Sequence, residues 1–515
     1  MALPAAASQT ADHVIHVSID GLRPDIVAQL GAEHCPNLHR FIVSGVLTMN
    51  ARTDYDYTET LPGHACILTG RAVLGKDGHG VDFNSDTGGT VAGAHGSYVA
   101  GVFDVVHDSG MSTALYAGKS KFALFDRSWD GTSGAPDTTG ADDGRDKIDL
   151  FLYEWDTGTL FARWKSDMSF LRWNYSFLHL RDPDSEGHAH GWTSRDYREA
   201  VIRCDRMLGE VFALVRADTA LDGKTAVIVT SDHGGTGYSH GDPADPLNYT
   251  IPLFAAGPGM PAGTELYSLN DGVREDPGGG RPDYAASPQP VRNGGSANLA
   301  LSLLGLGPIP GSTINPGREL AVHTPGGASD LPAVSLTSPT EGAEFDLYGP
   351  FSIEATAFHP SGIDRVEFYA GWAMISADST GPYEASWQPA REGEFILAAR
   401  AVPVSGPAGL DDVMVLVEQV TSAEDVGHPE MPGPSFFPNP VNGPVELSYD
   451  LPESGRVTLE IYDAAGRLAA RPLDGFRDAG ARTEVLTGLD LPSGVYFYRM
   501  KAAGLSAGGK LVVIR

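Results

Sequence analysis

Short apolar runs, each ending in a polar or charged cluster, dominate the first part of the chain and set its expected architecture. Val14-Ile15-His16-Val17-Ser18-Ile19, Thr113-Ala114-Leu115-Tyr116-Ala117-Gly118, Tyr175-Ser176-Phe177-Leu178-His179-Leu180, Ala226-Val227-Ile228-Val229-Thr230-Ser231 and the stretch from Tyr249 to Ala256 read as buried strands. Helical patterns lie between them: Asn37 to Ser44, Lys147 to Lys165, Ser194 to Arg216 and Ser296 to Leu304. The third of these has Val201, Met207, Leu208, Val211, Phe212 and Val215 at helical spacing. This alternation predicts an α/β fold over residues 12–325, with a mostly parallel central sheet flanked by helices. Beyond Pro325 the period changes. Two-residue alternation, as in Val366-Glu367-Phe368-Tyr369 and Val457-Thr458-Leu459-Glu460-Ile461-Tyr462, predicts two small all-β sandwiches, residues 333–420 and 435–515. A Pro-rich linker, 421–434, separates them, and a tail, 1–11, precedes the first strand.

The polar clusters at the strand ends carry the candidate chemistry. Asp20, Asp184 and Asp232 each follow a buried strand, where open α/β sheets collect ligands, and His188, His233 and His240 follow the last two carboxylates. This mixed oxygen and nitrogen set suits zinc, whereas magnesium and calcium want oxygen alone. Thr60 heads the helix-compatible run Thr60-Leu61-Pro62-Gly63-His64. Its hydroxyl is expected where unpaired N–H groups and the helix dipole favour negative charge, a place for a phosphoryl group. Two metals about 4 Å apart that share this set with the Thr60 oxygen form a phosphoryl-transfer device. Each feature alone has an ordinary explanation: Asp before Gly as a turn residue, a lone His as a satisfied polar group, Thr as a helix cap. Their conjunction is hard to obtain by accident. The Asp142-Asp143-Gly144-Arg145-Asp146 loop has a calcium-like look but lacks EF-hand spacing, and is discounted.

Composition narrows the class. The 515 residues carry a net charge of -30 with the acidic groups dispersed, which repels nucleic-acid backbones and suits an exported protein. Cys35, Cys66 and Cys204 offer neither a disulfide framework nor a Cys-based zinc site, and are expected to be buried small hydrophobes. No apolar run approaches the roughly 18 residues of a membrane span. The opening Met1-Ala2-Leu3-Pro4-Ala5-Ala6-Ala7-Ser8 is no complete signal peptide, so a leader is expected to be missing ahead of it.

Several motifs together resemble the alkaline phosphatase superfamily, and most closely its type I phosphodiesterase and nucleotide pyrophosphatase branch. They are Ser18-Ile19-Asp20-Gly21 with Arg23-Pro24-Asp25, Thr60-Leu61-Pro62-Gly63-His64, His79-Gly80-Val81 with Asn84, Pro183-Asp184-Ser185-Glu186-Gly187-His188, Ser231-Asp232-His233-Gly234 and His240-Gly241. The resemblance implies two Zn2+ per chain, one held by Asp20, Thr60, Asp232 and His233, the other by Asp184, His188 and His240. It further implies Thr60 as the nucleophile of a phospho-threonine intermediate, Asn84 as donor to a phosphoryl oxygen, and His64 as a support without a ligand role. The chain departs from the pattern in two places. Only Gly235 to Ser239 separate the Asp-His-Gly motif from His240, which reduces the usual nucleotide-recognition region, and Trp192 follows Gly191 where Pro is common. The terminal unit is similar to the sorting domain of type IX secretion and the flagellar-hook-cap immunoglobulin-like fold. The residues that carry this likeness are Phe437-Pro438-Asn439-Pro440, Leu459-Glu460-Ile461-Tyr462-Asp463, Ala465-Gly466-Arg467 and Ser493-Gly494-Val495-Tyr496-Phe497-Tyr498. It implies secretion, with export to the cell surface or beyond.

The expected activity is therefore hydrolysis of a small-molecule phosphate diester. A sulfatase is set aside, because Thr60 holds the nucleophile position and Cys66-Ile67-Leu68-Thr69-Gly70 lacks the Pro and Arg that formylglycine formation needs. A phosphate monoesterase is the alternative. It would need extra cations that Lys119 and Lys121 could supply, although as Lys119-Ser120-Lys121 they read first as solvated surface lysines. A second alternative is an inactive surface-attachment protein that binds through its sandwiches.

Overall fold

The apolar run His13–Ile19 forms β1 at the middle of an eight-stranded sheet, and six of its seven residues are buried. The other strands are β2 Val46–Arg52, β3 Thr113–Ala117, β4 Leu150–Tyr153, β5 Tyr175–Leu180, β6 Thr225–Thr230, β7 Thr250–Ala256 and β8 Thr264–Glu265, in the order β4-β3-β5-β1-β6-β7-β2-β8. From β4 to β6 the neighbours are parallel. Strand β7 runs antiparallel to both β6 and β2, so the sheet is mixed at one side. Helices cover both faces of the parallel part, which is why its strands are apolar on both sides. Leu178, Ile228 and Phe254 are fully buried, and each such side chain contributes about 1.5–3 kcal/mol. The structure is a computed structural model and describes residues 11–137, 144–314, 320–418, 435–437, 445–451, 454–462, 468–486, 491–502 and 505–513. The linker 421–434, the tail before Ala11, Asp142, Asp143, Pro438 to Pro440 and Asp463 to Arg467 lie outside the described residues.

One expected helix is divided. Within Lys147 to Lys165, Leu150–Tyr153 pairs in parallel with β3, and the helix Thr157–Leu171 begins only after Asp156, whose carboxylate accepts from Thr159 N–H. An apolar run of four residues is too short to show its period, so the strand was hidden in the helix pattern. The three cysteines are buried and free.

Residues 1–419 form one compact unit and 420–515 another. The first unit includes a β-sandwich whose sheets have five and three strands and whose core contains Ile353, Val366, Phe368, Leu397 and Val417. Arg400 donates to the carbonyls of Ala262 and Gly263, and Arg216 pairs with Glu341 and Asp412, so this sandwich is docked on the α/β region. The second unit pairs a three-stranded and a four-stranded sheet around Leu447, Val457, Leu459, Ile461, Met500 and Leu511.

Candidate active site

The carboxyl ends of β3, β5, β1 and β6 lie side by side, and the expected residues gather there. Asp20 directly follows β1. Asp184 and His188 lie on the helix Asp182–His190 after β5, while Asp232 and His233 follow β6. Thr60 is the first residue of the helix Thr60–Thr69, and the cap position falls on Glu59. Its hydroxyl is therefore not spent as an ordinary cap. His64, one turn on, donates from Nδ1 to the Thr60 carbonyl at 2.7 Å, and its Nε2 lies 2.9 Å from Ser18 Oγ, which ties this helix to β1. Gly63 allows the close approach, since a Cβ there would lie 3.0 Å from Asp232 Cβ.

The histidines are set for a cation. Nδ1 of His188, His233 and His240 faces the carbonyl of Tyr238, Gly234 and Thr58 at 2.9, 2.8 and 2.5 Å. A carbonyl only accepts, so Nδ1 carries the hydrogen and Nε2 presents a lone pair, the arrangement typical of metal-bound imidazoles. Nε2 of His188 and Nε2 of His240 stand 3.1 Å apart, both toward Asp184 Oδ1, at 3.4 and 3.5 Å. His233 Nε2 lies 3.4 Å from Asp20 Oδ1 and 3.3 Å from Asp232 Oδ2. Asp20 Oδ1, Asp184 Oδ1, Asp232 Oδ2 and His233 Nε2 are all buried without a hydrogen-bond partner. Orphaned buried acceptors are costly unless a cation meets them, so this donor set fits zinc. At this site two groups of potential ligands emerge, Asp184 with His188 and His240, and Asp20 with Asp184 and His233; Asp184 belongs to both.

The electrostatics match. Burial pushes the His233 imidazole down and, with His233 beside it, takes His240 to about 3, so both are neutral at ordinary pH. Burial works to raise Asp20, but the Lys119 ammonium and His179 outweigh it and hold the carboxyl well below its usual range. Asp232, buried and repelled by Asp20, is pushed well above that range.

Lys119 and Lys121 depart from their first reading as solvated lysines. Lys119 Nζ lies 2.6 Å from Asp20 Oδ2, 2.6 Å from Asp184 Oδ2 and 3.1 Å from Thr60 Oγ1, with a side chain only 14% exposed. Lys121 Nζ donates to Asn84 Oδ1 at 2.7 Å, and that oxygen also accepts from Leu61 N–H at 3.1 Å. These bonds fix the Asn84 amide with its NH2 end left to donate. Burial, then Lys119, pushes the Lys121 ammonium below its ordinary value.

His179 and Thr58 were not singled out from sequence, and Trp192 was not read as a support. His179 accepts from Gly118 N–H at Nδ1 (3.1 Å), so Nε2 carries the hydrogen that Asp20 Oδ2 receives at 2.8 Å. Thr58 exchanges two hydrogen bonds with His240, which locks the last histidine to the loop before Thr60. Trp192, read only as a departure in the loop, is buried, donates to the Gly21 carbonyl at 3.3 Å and stands edge-on to His188 at 5.0 Å. Gly235 is required beneath it, because a Cβ there would come within 1.9 Å of its ring.

The family profile described as type I phosphodiesterase / nucleotide pyrophosphatase matches residues 14–81 and 104–259. Every candidate metal ligand lies inside the match, while Asn84 falls in the interval between its two parts. A bacterial Ig domain matches 332–411, and a secretion system C-terminal sorting domain matches 435–514. Among curated relatives, human GPI ethanolamine phosphate transferase 1 is 37% identical over 84 residues, 16% of this chain and 9% of that protein. Mouse ectonucleotide pyrophosphatase/phosphodiesterase family member 1 is 26% identical over 225 residues, 42% of this chain and 23% of that protein. The chain thus spans a small part of the length of these relatives. A solved protein of the alkaline phosphatase superfamily from Vibrio parahaemolyticus is similar at 14% identity and a TM-score of 0.41, covering 74% of this chain and 81% of its own.

Proposed function

Because the chain carries a type I phosphodiesterase / nucleotide pyrophosphatase domain, we propose that it is an exported two-zinc phosphodiesterase acting through a phospho-threonine intermediate. The observation that carries this reading is the convergence of orphaned buried lone pairs from Asp20, Asp184, Asp232 and His233 beside the Thr60 hydroxyl. Asp20, Thr60, Asp232 and His233 would hold one ion, and Asp184, His188 and His240 the other. Zinc held there would supply Lewis-acid charge to the phosphoryl group.

The chain's own residues do the rest. Thr60 Oγ attacks phosphorus in line, aided by the Lys119 ammonium 3.1 Å away, which favours its alkoxide form. The bond to the leaving alcohol breaks, and that alcohol takes up the proton Thr60 gave away. Asn84, held by Lys121 and Leu61, presents its NH2 to a non-bridging oxygen. Water then cleaves the phospho-threonine, which frees a phosphomonoester and restores Thr60. The sorting domain supports export through secretion machinery, with attachment at the cell surface or release. Among the described residues no helix is long and apolar enough to cross a membrane.

A monoesterase is the second reading, favoured by one observation: two cationic side chains, Lys119 and Lys121, stand at the site. A doubly charged phosphoryl group gains more from them than a singly charged diester. The complete donor set weighs against an inactive attachment protein. The test is Thr60→Ala. Turnover should fall at least about 10³-fold while circular dichroism and most zinc binding persist. Rapid acid quench of the unsubstituted enzyme should trap Thr60 as a phosphodiester that keeps the substrate's second ester group. Wild-type rates in the variant would sink the assignment.

A further inference from the structure

A cavity of about 470 Å³ lies at the seam between the α/β region and the first sandwich, within the range of small-ligand pockets. Phe212 and Ala213 of the helix Arg195–Ala217, with Trp372, Ile396 and Met414 of the sandwich, give it apolar walls. Into it projects Arg40, from the helix Pro36–Ser44. The guanidinium carbon lies 4.0 Å from the Phe212 ring centroid and 5.1 Å from that of Trp372. Such stacking orients a guanidinium but leaves its in-plane donors free.

Those donors lack a protein partner. Arg40 Nε is buried without a hydrogen bond, and among the described residues no carboxylate stands within ion-pair distance of the guanidinium. Arg216, which lines the same cavity, is matched: it reaches Glu341 at 2.8 Å and Asp412 at 3.2 Å. Glu341 also accepts from Met414 N–H at 2.8 Å, so both nearby carboxylates are committed elsewhere. On a chain with net charge -30, a shielded arginine between two aromatic rings, whose nearby carboxylate Asp412 is paired with Arg216 instead, is a place for an anion from outside. Glu394 at the exposed lip adds negative charge, which disfavours a second charge on the ligand.

We propose that this cavity binds a small organic monoanion, its carboxylate against the in-plane edge of Arg40 and its apolar body against Ala213, Ile396 and Met414. The site is separate from the Thr60 centre and does not depend on the phosphodiesterase reading. The test uses phenylacetate as the probe, with neutral phenylacetamide as its control, titrated calorimetrically into the full chain. Saturable one-to-one binding of phenylacetate is expected, at least tenfold weaker for phenylacetamide and at least tenfold weaker in Arg40→Met. Ala213→Phe, a substitution at an exposed helix position that fills the cavity and leaves the arginine in place, should abolish binding, and it serves also if Arg40→Met fails to fold. No binding by the unsubstituted protein, equal binding of acid and amide, or binding that survives Ala213→Phe would overturn the proposal.

Discussion

Lys119 is the residue whose position most changes the chemistry expected at Thr60. In sequence it stands in Gly118-Lys119-Ser120-Lys121, which reads as solvated, because nothing in that pattern reveals that β3 ends beside β5. The candidate ligands were legible for the opposite reason: each follows an apolar run or sits in a short motif, and the sheet brings those ends together. His179 was hidden because it lies inside β5 among apolar neighbours and looks like core. Two predictions belong at this scale. Lys119→Met should lower kcat/KM on both of a pair of aryl substrates, because the ammonium assists Thr60 in either attack, and by at least about tenfold more for the phosphomonoester than for the diester. Equal losses would mean that the ammonium serves to assist Thr60 and to hold Asp20 and Asp184, not to meet the extra phosphoryl charge. His179→Phe should weaken zinc binding about 10–100-fold in a chelator competition, since it removes one of the two donors, with Lys119, that hold Asp20 Oδ2. Unchanged affinity would reduce His179 to a packing role.

At the level of elements, the buried parallel strands and β7 were readable, and β2 was not. Strand β2, Val46-Leu47-Thr48-Met49-Asn50-Ala51-Arg52, mixes polar and apolar residues, and its pairing with β7 carries a register shift between Thr48 and Ala51 that breaks strict alternation. The helix Pro36–Ser44 shows a different long-range dependence. It has no side-chain cap of its own; instead Asp205, from the helix Arg195–Ala217, accepts from Leu38 N–H at 2.7 Å and from Asn37 Nδ2 at 3.0 Å. Burial pushes the Asp205 carboxyl up from 3.8 to about 6. A raised folded value means that its contribution to stability is full below the unfolded value and is lost as pH climbs through about 6. Asp205→Asn keeps an acceptor for Leu38 and removes the buried charge. It should therefore flatten the stability loss over that window and stabilise the neutral protein, by at most about 3 kcal/mol. Urea unfolding on either side of the window checks this, and a less stable variant at neutral pH would refute it.

For the whole molecule, the change of period at Pro325 and the Pro-rich stretch made its order legible: an α/β region, then β-sandwiches. The docking of the first sandwich was not legible, because it rests on single contacts such as Arg400 to the Gly263 carbonyl that leave no periodic trace. All candidate ligands lie in the unit 1–419, so a chain lacking residues 420–515 should keep kcat/KM within about twofold. A larger loss would show that the site depends on the second unit. The central claim is tested most directly by elemental analysis of the purified protein, paired with turnover of an aryl phosphodiester, phosphomonoester and sulfate monoester under one set of conditions. The account predicts about two zinc ions per chain, fastest turnover of the diester, little of the sulfate, and loss of activity on chelation. Protein free of metal after growth and assay with zinc, and without turnover of any of the three esters, would contradict it.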